Sequence, residues 1–201
     1  NWSKAAIALD FHSMTWPHDI VAVQAGHLID FFRANARDLR DRIARTLPRW
    51  SEDRPGYSVL LGMHAFGLEE AGDYAAAEAK GREALDRQPL DGWAHHAVAH
   101  VMEMQGRLGD GAQWLDGLAG HWDGANHIVH HLWWHRCLFA TEAGNNEEAL
   151  SVYERVGPQP QSPIRHFGPV TEIVAALGSG HGPARNFIVI VSGPGQALRY
   201  R

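Results

Sequence analysis

The chain contains a single cysteine, Cys137, so no disulfide can form within it, and a reducing compartment, the cytoplasm, is the expected location. No apolar run approaches the roughly 18 residues needed to cross a bilayer. The first residues lack the basic stretch and apolar core of a secretory leader. An excess of positive charge is also missing. Lys and Arg number 18 against 23 Asp and Glu, and the net charge of -5 leaves no footprint for nucleic acid or an anionic membrane. Neither is expected as a partner. The Gly-x-Ser-x-Gly elbow of acyl-transfer enzymes is absent, as is the Gly-Lys-Ser/Thr of phosphate-binding loops. Cys137 stands beside Trp134 and Leu138 and is expected to be a buried, inert thiol.

Histidine and tryptophan are abundant, at 14 and 8 residues. Seven of the histidines fall between His95 and His131. Basic residues cluster at Arg33, Arg37, Arg40, Arg42 and Arg45, interleaved with Asp38 and Asp41, which predicts a solvated helix face.

A short cadence organises the middle of the chain. Ala71-Gly72-Asp73-Tyr74, Gln105-Gly106-Arg107-Leu108 and Ala143-Gly144-Asn145-Asn146 place glycines 34 and then 38 residues apart. A small residue follows each glycine by five positions: Ala77, Gly111 and Ala149. Self-similarity at this period marks a tetratricopeptide array, in which each helix–turn–helix unit buries its apolar face only by stacking on the next. The predicted fold class is all-α, an α-solenoid of such repeats with an irregular C-terminal tail. Residues 1–157 form the helical repeat domain. Two helices come first: Pro17 is placed to open one, with Ile20, Val21, Val23, Leu28, Ile29 and Phe32 following at roughly helical spacing, and the second runs from about 35 to 47. Repeats follow at about 57–90, 91–120 and 126–157. Residues 158–201, broken by Pro158, Pro160 and Pro163, form the tail. Asn145 and Glu148 resemble a capping box.

The residues that could carry chemistry lie on the first helices of the repeats. His96, His100 and Glu103 are spaced i, i+4, i+7 and share one helix face. His127, His131 and His135 form a second stripe. In tetratricopeptide arrays such positions line the concave groove, and neighbouring first helices lie about 8–10 Å apart. His95 and His130 point away from the stripes. His64 lies in the first repeat, nearer to packing than to the groove. Trp93 and Trp134 can stack on a flat or cationic ligand or fill core. Glu69 occupies a groove position at the end of its helix, where solvated charge is the default.

Three functions remain open. A binding protein would hold a small molecule or peptide through His64, Trp93, His96, His100, Glu103, His127, His131, Trp134 and His135. A metal-dependent enzyme, a hydrolase by its residue types, would ligate a divalent ion such as zinc with His96, His100, His131 and His135. Glu103 would then be a further ligand or the catalytic general base. The His-Glu-x-x-His form of such a site is absent. An interaction scaffold would use the histidines for packing alone. Uncapped ends of the array would let one copy join another.

From about Asp19 to Tyr153 the chain resembles the tetratricopeptide repeat protein 38 family. The matching segments are His18-Asp19-Ile20-Val21-Ala22, Gly62 to Glu70, Trp93-Ala94-His95-His96-Ala97-Val98-Ala99-His100-Val101-Met102-Glu103-Met104, and His131-Leu132-Trp133-Trp134-His135. The resemblance implies an all-helical array of degenerate repeats in a longer chain, with His96, His100, Glu103, His131 and His135 inside the family pattern. It implies fold more than activity. On this view the sequence is a piece lacking the family's N-terminal repeats, and the segment after Gly157 departs from its continuing helices.

Overall fold

Asparagine and aspartate side chains start the helices. Asn1, Asp19, Asn35, Asp73 and Asp91 each accept a hydrogen bond from a backbone N–H of the first turn that follows, which relieves the unpaired donors of a helix N-terminus. The computed structural model describes residues 1–118, 128–156, 191–192 and 196–197. Among these, the protein is all-helical apart from one short 3-10 turn and a two-residue strand pair. The helices are α1 (Trp2–Thr15), α2 (Ile20–Phe32), α3 (Ala36–Thr46), α4 (Tyr57–Glu70), α5 (Tyr74–Arg87), α6 (Gly92–Met104), α7 (Leu108–Leu118), α8 (Ile128–Glu142) and α9 (Asn146–Val156). α4 and α5, α6 and α7, and α8 and α9 fall as helix pairs inside the three repeat ranges expected from the sequence. α1 was not expected. Pro17 does not open a helix; it lies in the turn after α1, and Asp19 caps α2 instead.

The three cadence glycines end α4, α6 and α8 in one geometry. Gly72, Gly106 and Gly144 have φ of 83°, 67° and 76°, a conformation that costs a residue with a Cβ about 1–2 kcal/mol. The residue after each glycine bonds back to the helix: Asp73 N to Leu68 O at 2.9 Å, Arg107 N to Met102 O at 2.8 Å, Asn145 N to Ala140 O at 2.9 Å. Each glycine N–H bonds to the carbonyl three residues earlier. This pair of bonds closes a helix end and turns the chain. A fourth copy ends α2 without glycine. Ala34 has φ 52°, and Asn35 N bonds to Asp30 O at 3.0 Å.

Asn1–Arg107 belong to one compact unit, and α7 as far as Gly117 belongs with α8 and α9 to another. In the first unit α4 is the central element. Val23, Ile43, Trp50, Leu60 and Met63 join it to α2 and α3. Leu39, Ala65, Phe66 and Ala97 tie α3, α4 and α6 together, and Leu68, Ala77 and Val101 do the same for α4, α5 and α6. Burying each large aliphatic side chain here contributes about 1.5–3 kcal/mol. Gly67 brings α3 against α4 so closely that a Cβ there would lie 2.7 Å from Arg40 Cα.

Arg42 corrects the expectation of a wholly solvated arginine face. It is 3 % exposed, and its Nε donates to Asp30 at 2.8 Å while a terminal nitrogen donates to Ala6 O at 3.2 Å. It thereby ties α1, α2 and α3 together.

In the second unit Cys137, Ala140, Ala149 and Val152 pack α8 on α9. Arg136 donates to both carboxylate oxygens of Asp116, at 2.9 and 3.0 Å, and also to Glu148. Asn145 and Glu148 bond to one another at 2.9 and 3.2 Å, as their spacing predicts. Val191–Ser192 pair antiparallel with Gln196–Ala197. The rest of the tail, including the apolar run from Phe187 to Ile190, lies outside the described residues. No helix among the described residues is long and apolar enough to cross a membrane.

Candidate functional site

The C-terminal end of α4 and one face of α6 bring polar groups into an otherwise apolar setting. α6 is buried along Ala94, Ala97, Val98 and Val101, which fixes the face that carries His96 and His100. These two imidazoles stand one turn apart with ring centroids 4.2 Å from one another. Phe66 packs on both, at 5.3 and 6.0 Å, and Trp93 meets His96 edge-on at 5.9 Å. His96 is buried and His100 half-buried.

Glu69 corrects the expectation of a solvated carboxylate. It is only 5 % exposed, and its Oε2 lies 3.4 Å from His100 Nδ1. Glu70 follows it into the last turn of α4. One donor atom from each of Glu69, Glu70 and His100 lies within 4.8 Å of the other two.

The electrostatics of the three groups are linked. Burial pushes the His100 pKa down, but the attraction and hydrogen bonding of Glu69, with further attraction from Glu103 and Glu70, outweigh it and raise the value to about 9. Burial, with repulsion from Glu69, raises Glu70 to about 7 against the opposing pull of His100. Near neutral pH the face therefore carries an imidazolium at His100 and, at Glu70, a carboxyl group that titrates there, both beside the buried Glu69. It can hold a cation, or donate and accept hydrogen bonds with little reorganisation.

His64 stands elsewhere. Burial lowers its pKa, followed by repulsion from Lys80 and Arg40, with Asp41 opposing. Its charged neighbours are thus a different set from those of His100. His95 is buried, and its Nε2 is 2.7 Å from Pro89 O, so it holds the start of α6.

α8 carries its own imidazole pair. His135 and His131 approach Nε2 to Nε2 at 3.1 Å, which requires one ring to donate and the other to accept. Trp134 stacks on His131 at 5.3 Å and meets His135 edge-on at 5.0 Å. Trp133 instead joins the α8–α9 core. His127 lies outside the described residues. Cys137 is buried, with its thiol bonded to Ala149 O, and burial pushes its pKa up despite Thr141 and Arg136, as an inert thiol requires.

Besides Asp30, the buried partner of Arg42, two buried acids escaped the sequence. Glu69 is partnered from 31 positions away, a separation that leaves no local signal. Asp91 is legible as a helix cap, but its burial is not. That burial raises its pKa to about 6, against the backbone hydrogen bonds from Ala94 and Trp93. No protein-family model matches the chain, and no solved structure matches it.

Proposed function

We propose that the chain is a tetratricopeptide-type binding protein that holds a small molecule or peptide through its His/Glu/Trp-bearing first helices. The repeated glycine-ended turns support the repeat architecture. So does the burial of the small residues that follow by five: Ala77 and Ala149 are fully buried, and Gly111 lies under Phe139. The resemblance to the tetratricopeptide repeat protein 38 family points the same way, and the single cysteine suits a cytoplasmic protein.

One observation carries the functional reading. The carboxylate of Glu69 is buried and faces His100, at a cost that packing alone does not require. Hydrophobic residues of similar volume would serve stability as well or better. With Glu70 and Glu103 near His100, the face has more acid than base and favours a ligand with a cationic or hydrogen-donating group. Trp93 and Phe66 supply flat apolar walls beside it. On α8, His131, Trp134 and His135 offer similar chemistry.

Native mass spectrometry of untagged protein tests this. A bound mass present in the parent and lost in His96→Ala/His100→Ala is the expected result. If the parent carries no adduct, and amines and short basic peptides shift neither its melting temperature nor that of the variant, the histidines only pack. The chain is then an interaction scaffold.

A further inference from the structure

We propose that Glu69, Glu70 and His100 form a binding site for one divalent transition-metal ion of intermediate hardness, such as Zn²⁺ or Mn²⁺. The proposal rests on the ligand-binding reading of this face and names its ligand. It differs from the four-histidine set expected from the sequence, since two of its three donors are carboxylates on α4.

The first ground is distance. The three donor atoms lie within 4.8 Å of one another. Ligands held at about 2.0–2.2 Å from a common ion are about 3 Å apart when adjacent and about 4 Å apart when opposite. Modest rotation of two glutamate side chains closes the difference, because both hang from the last turn of one helix.

The second ground is the state of Glu69. Its Oε2 is buried, and its contact with His100 Nδ1 is long, at 3.4 Å, short of a well-formed hydrogen bond. A buried carboxylate oxygen met only at that distance is incompletely compensated; a divalent ion bound between Glu69 and His100 would displace the imidazolium proton and meet the oxygen directly with two charges. The third ground is the helix end. Glu69 and Glu70 close α4, where the macrodipole is negative and favours a cation.

The donor set specifies the class of ion. Two oxygens and one imidazole nitrogen suit zinc, manganese or ferrous iron rather than calcium, which takes six to eight oxygens, or copper(I), which takes sulfur. Three protein ligands leave at least one position for water or a ligand atom, as catalytic sites do and closed structural sites do not. His96 lies one turn before His100 on the same face, with its ring centroid 4.2 Å away.

The test is calorimetric titration of ZnCl₂ into the full chain, purified without tag or chelator, with Co²⁺ absorption as a second readout. The proposal expects one ion per chain. It also expects affinity weakened about tenfold or more in Glu69→Gln/Glu70→Gln and in His100→Asn, and unchanged in His131→Ala/His135→Ala. Circular dichroism verifies that each variant folds. If the double glutamine variant does not fold, Glu70→Gln alone must weaken binding and move the Co²⁺ bands. Absence of uptake by the parent overturns the site. So does uptake that survives Glu69→Gln/Glu70→Gln, or uptake abolished by His131→Ala/His135→Ala while both glutamates remain. An organic adduct lost in His96→Ala/His100→Ala, with no metal uptake, removes the metal site and keeps the binding reading.

Discussion

The guanidinium of Arg42 lies against the bare backbone of Gly26. A Cβ at Gly26 would sit 2.8 Å from Arg42 Cζ and 2.9 Å from Nε, inside van der Waals contact. The same Nε donates to Asp30, whose side chain has no exposure. Glycine on α2 thus gives Arg42 its route to Asp30. Gly26→Ala is expected to destabilise the protein by about 1–3 kcal/mol through overpacking. Asp30→Ala should cost more, about 3–5 kcal/mol, because it leaves a buried cation with its main partner removed. Urea unfolding of both variants measures this. Equal stability of parent and Asp30→Ala would show that Arg42 finds water or Asp10 instead.

Ala34 offers a stabilising change. Its φ of 52° is strained for a residue with a Cβ, and its side chain is exposed, so little packing is lost by removing it. Ala34→Gly is expected to gain about 0.5–1 kcal/mol, the relief of the left-handed conformation less the added entropy of the unfolded chain. The corresponding Gly72→Ala should lose a comparable amount. A pair of thermal melts decides the matter: a fall in melting temperature on Ala34→Gly contradicts the strain.

The same position shows how much of the fold was legible. Gly72, Gly106 and Gly144 announced themselves because a left-handed residue after a helix selects glycine. Ala34 adopts that conformation without the sequence cue, so the earliest turn of the series went unseen. α1 was hidden for another reason. Its buried positions are the small Ala6 and Ser13, while Ile7, Phe11 and Met14 are exposed, so its hydrophobic pattern does not mark its inner face. At the candidate site, the spacing of His96 and His100 put both on one helix face in advance. The burial of Glu69 did not follow, because it depends on how α4 meets α6. Arg42 was misread because its partner Asp30 lies on another helix, 12 positions earlier.

Gly111 is the small residue of the second cadence, and its space is filled by one ring. A Cβ at Gly111 would enter the Phe139 side chain, which is itself 1 % exposed. Gly111→Ala should therefore destabilise the α7–α8 packing by about 1–3 kcal/mol, even though alanine favours the helix by about 1 kcal/mol. Combining it with Phe139→Leu should recover part of the loss. Stability of the three variants by denaturant titration checks this, and additive losses in the double variant would argue against direct contact.

His27 makes stability depend on pH with a definite sign. It is 4 % exposed, and burial, with repulsion from Arg42 and His64, lowers its pKa from 6.5 to about 3 against the pull of the Leu39 backbone. Phe66 covers it edge-on at 6.0 Å. Between these two pKa values the unfolded chain binds a proton that the folded chain does not. Unfolding is therefore favoured as pH falls through 6.5, and the loss grows until about pH 3, where the folded protein also protonates. At pH 5 the contribution is about 2 kcal/mol relative to pH 8. Other histidines titrate over the same range, so the comparison is with His27→Gln, which keeps a polar side chain but cannot charge. The stability difference between pH 8 and pH 5 should be about 2 kcal/mol larger in the parent than in the variant. Identical pH dependence in the two proteins would mean that His27 protonates as readily folded as unfolded, through water reaching the space between α2, α3 and α4.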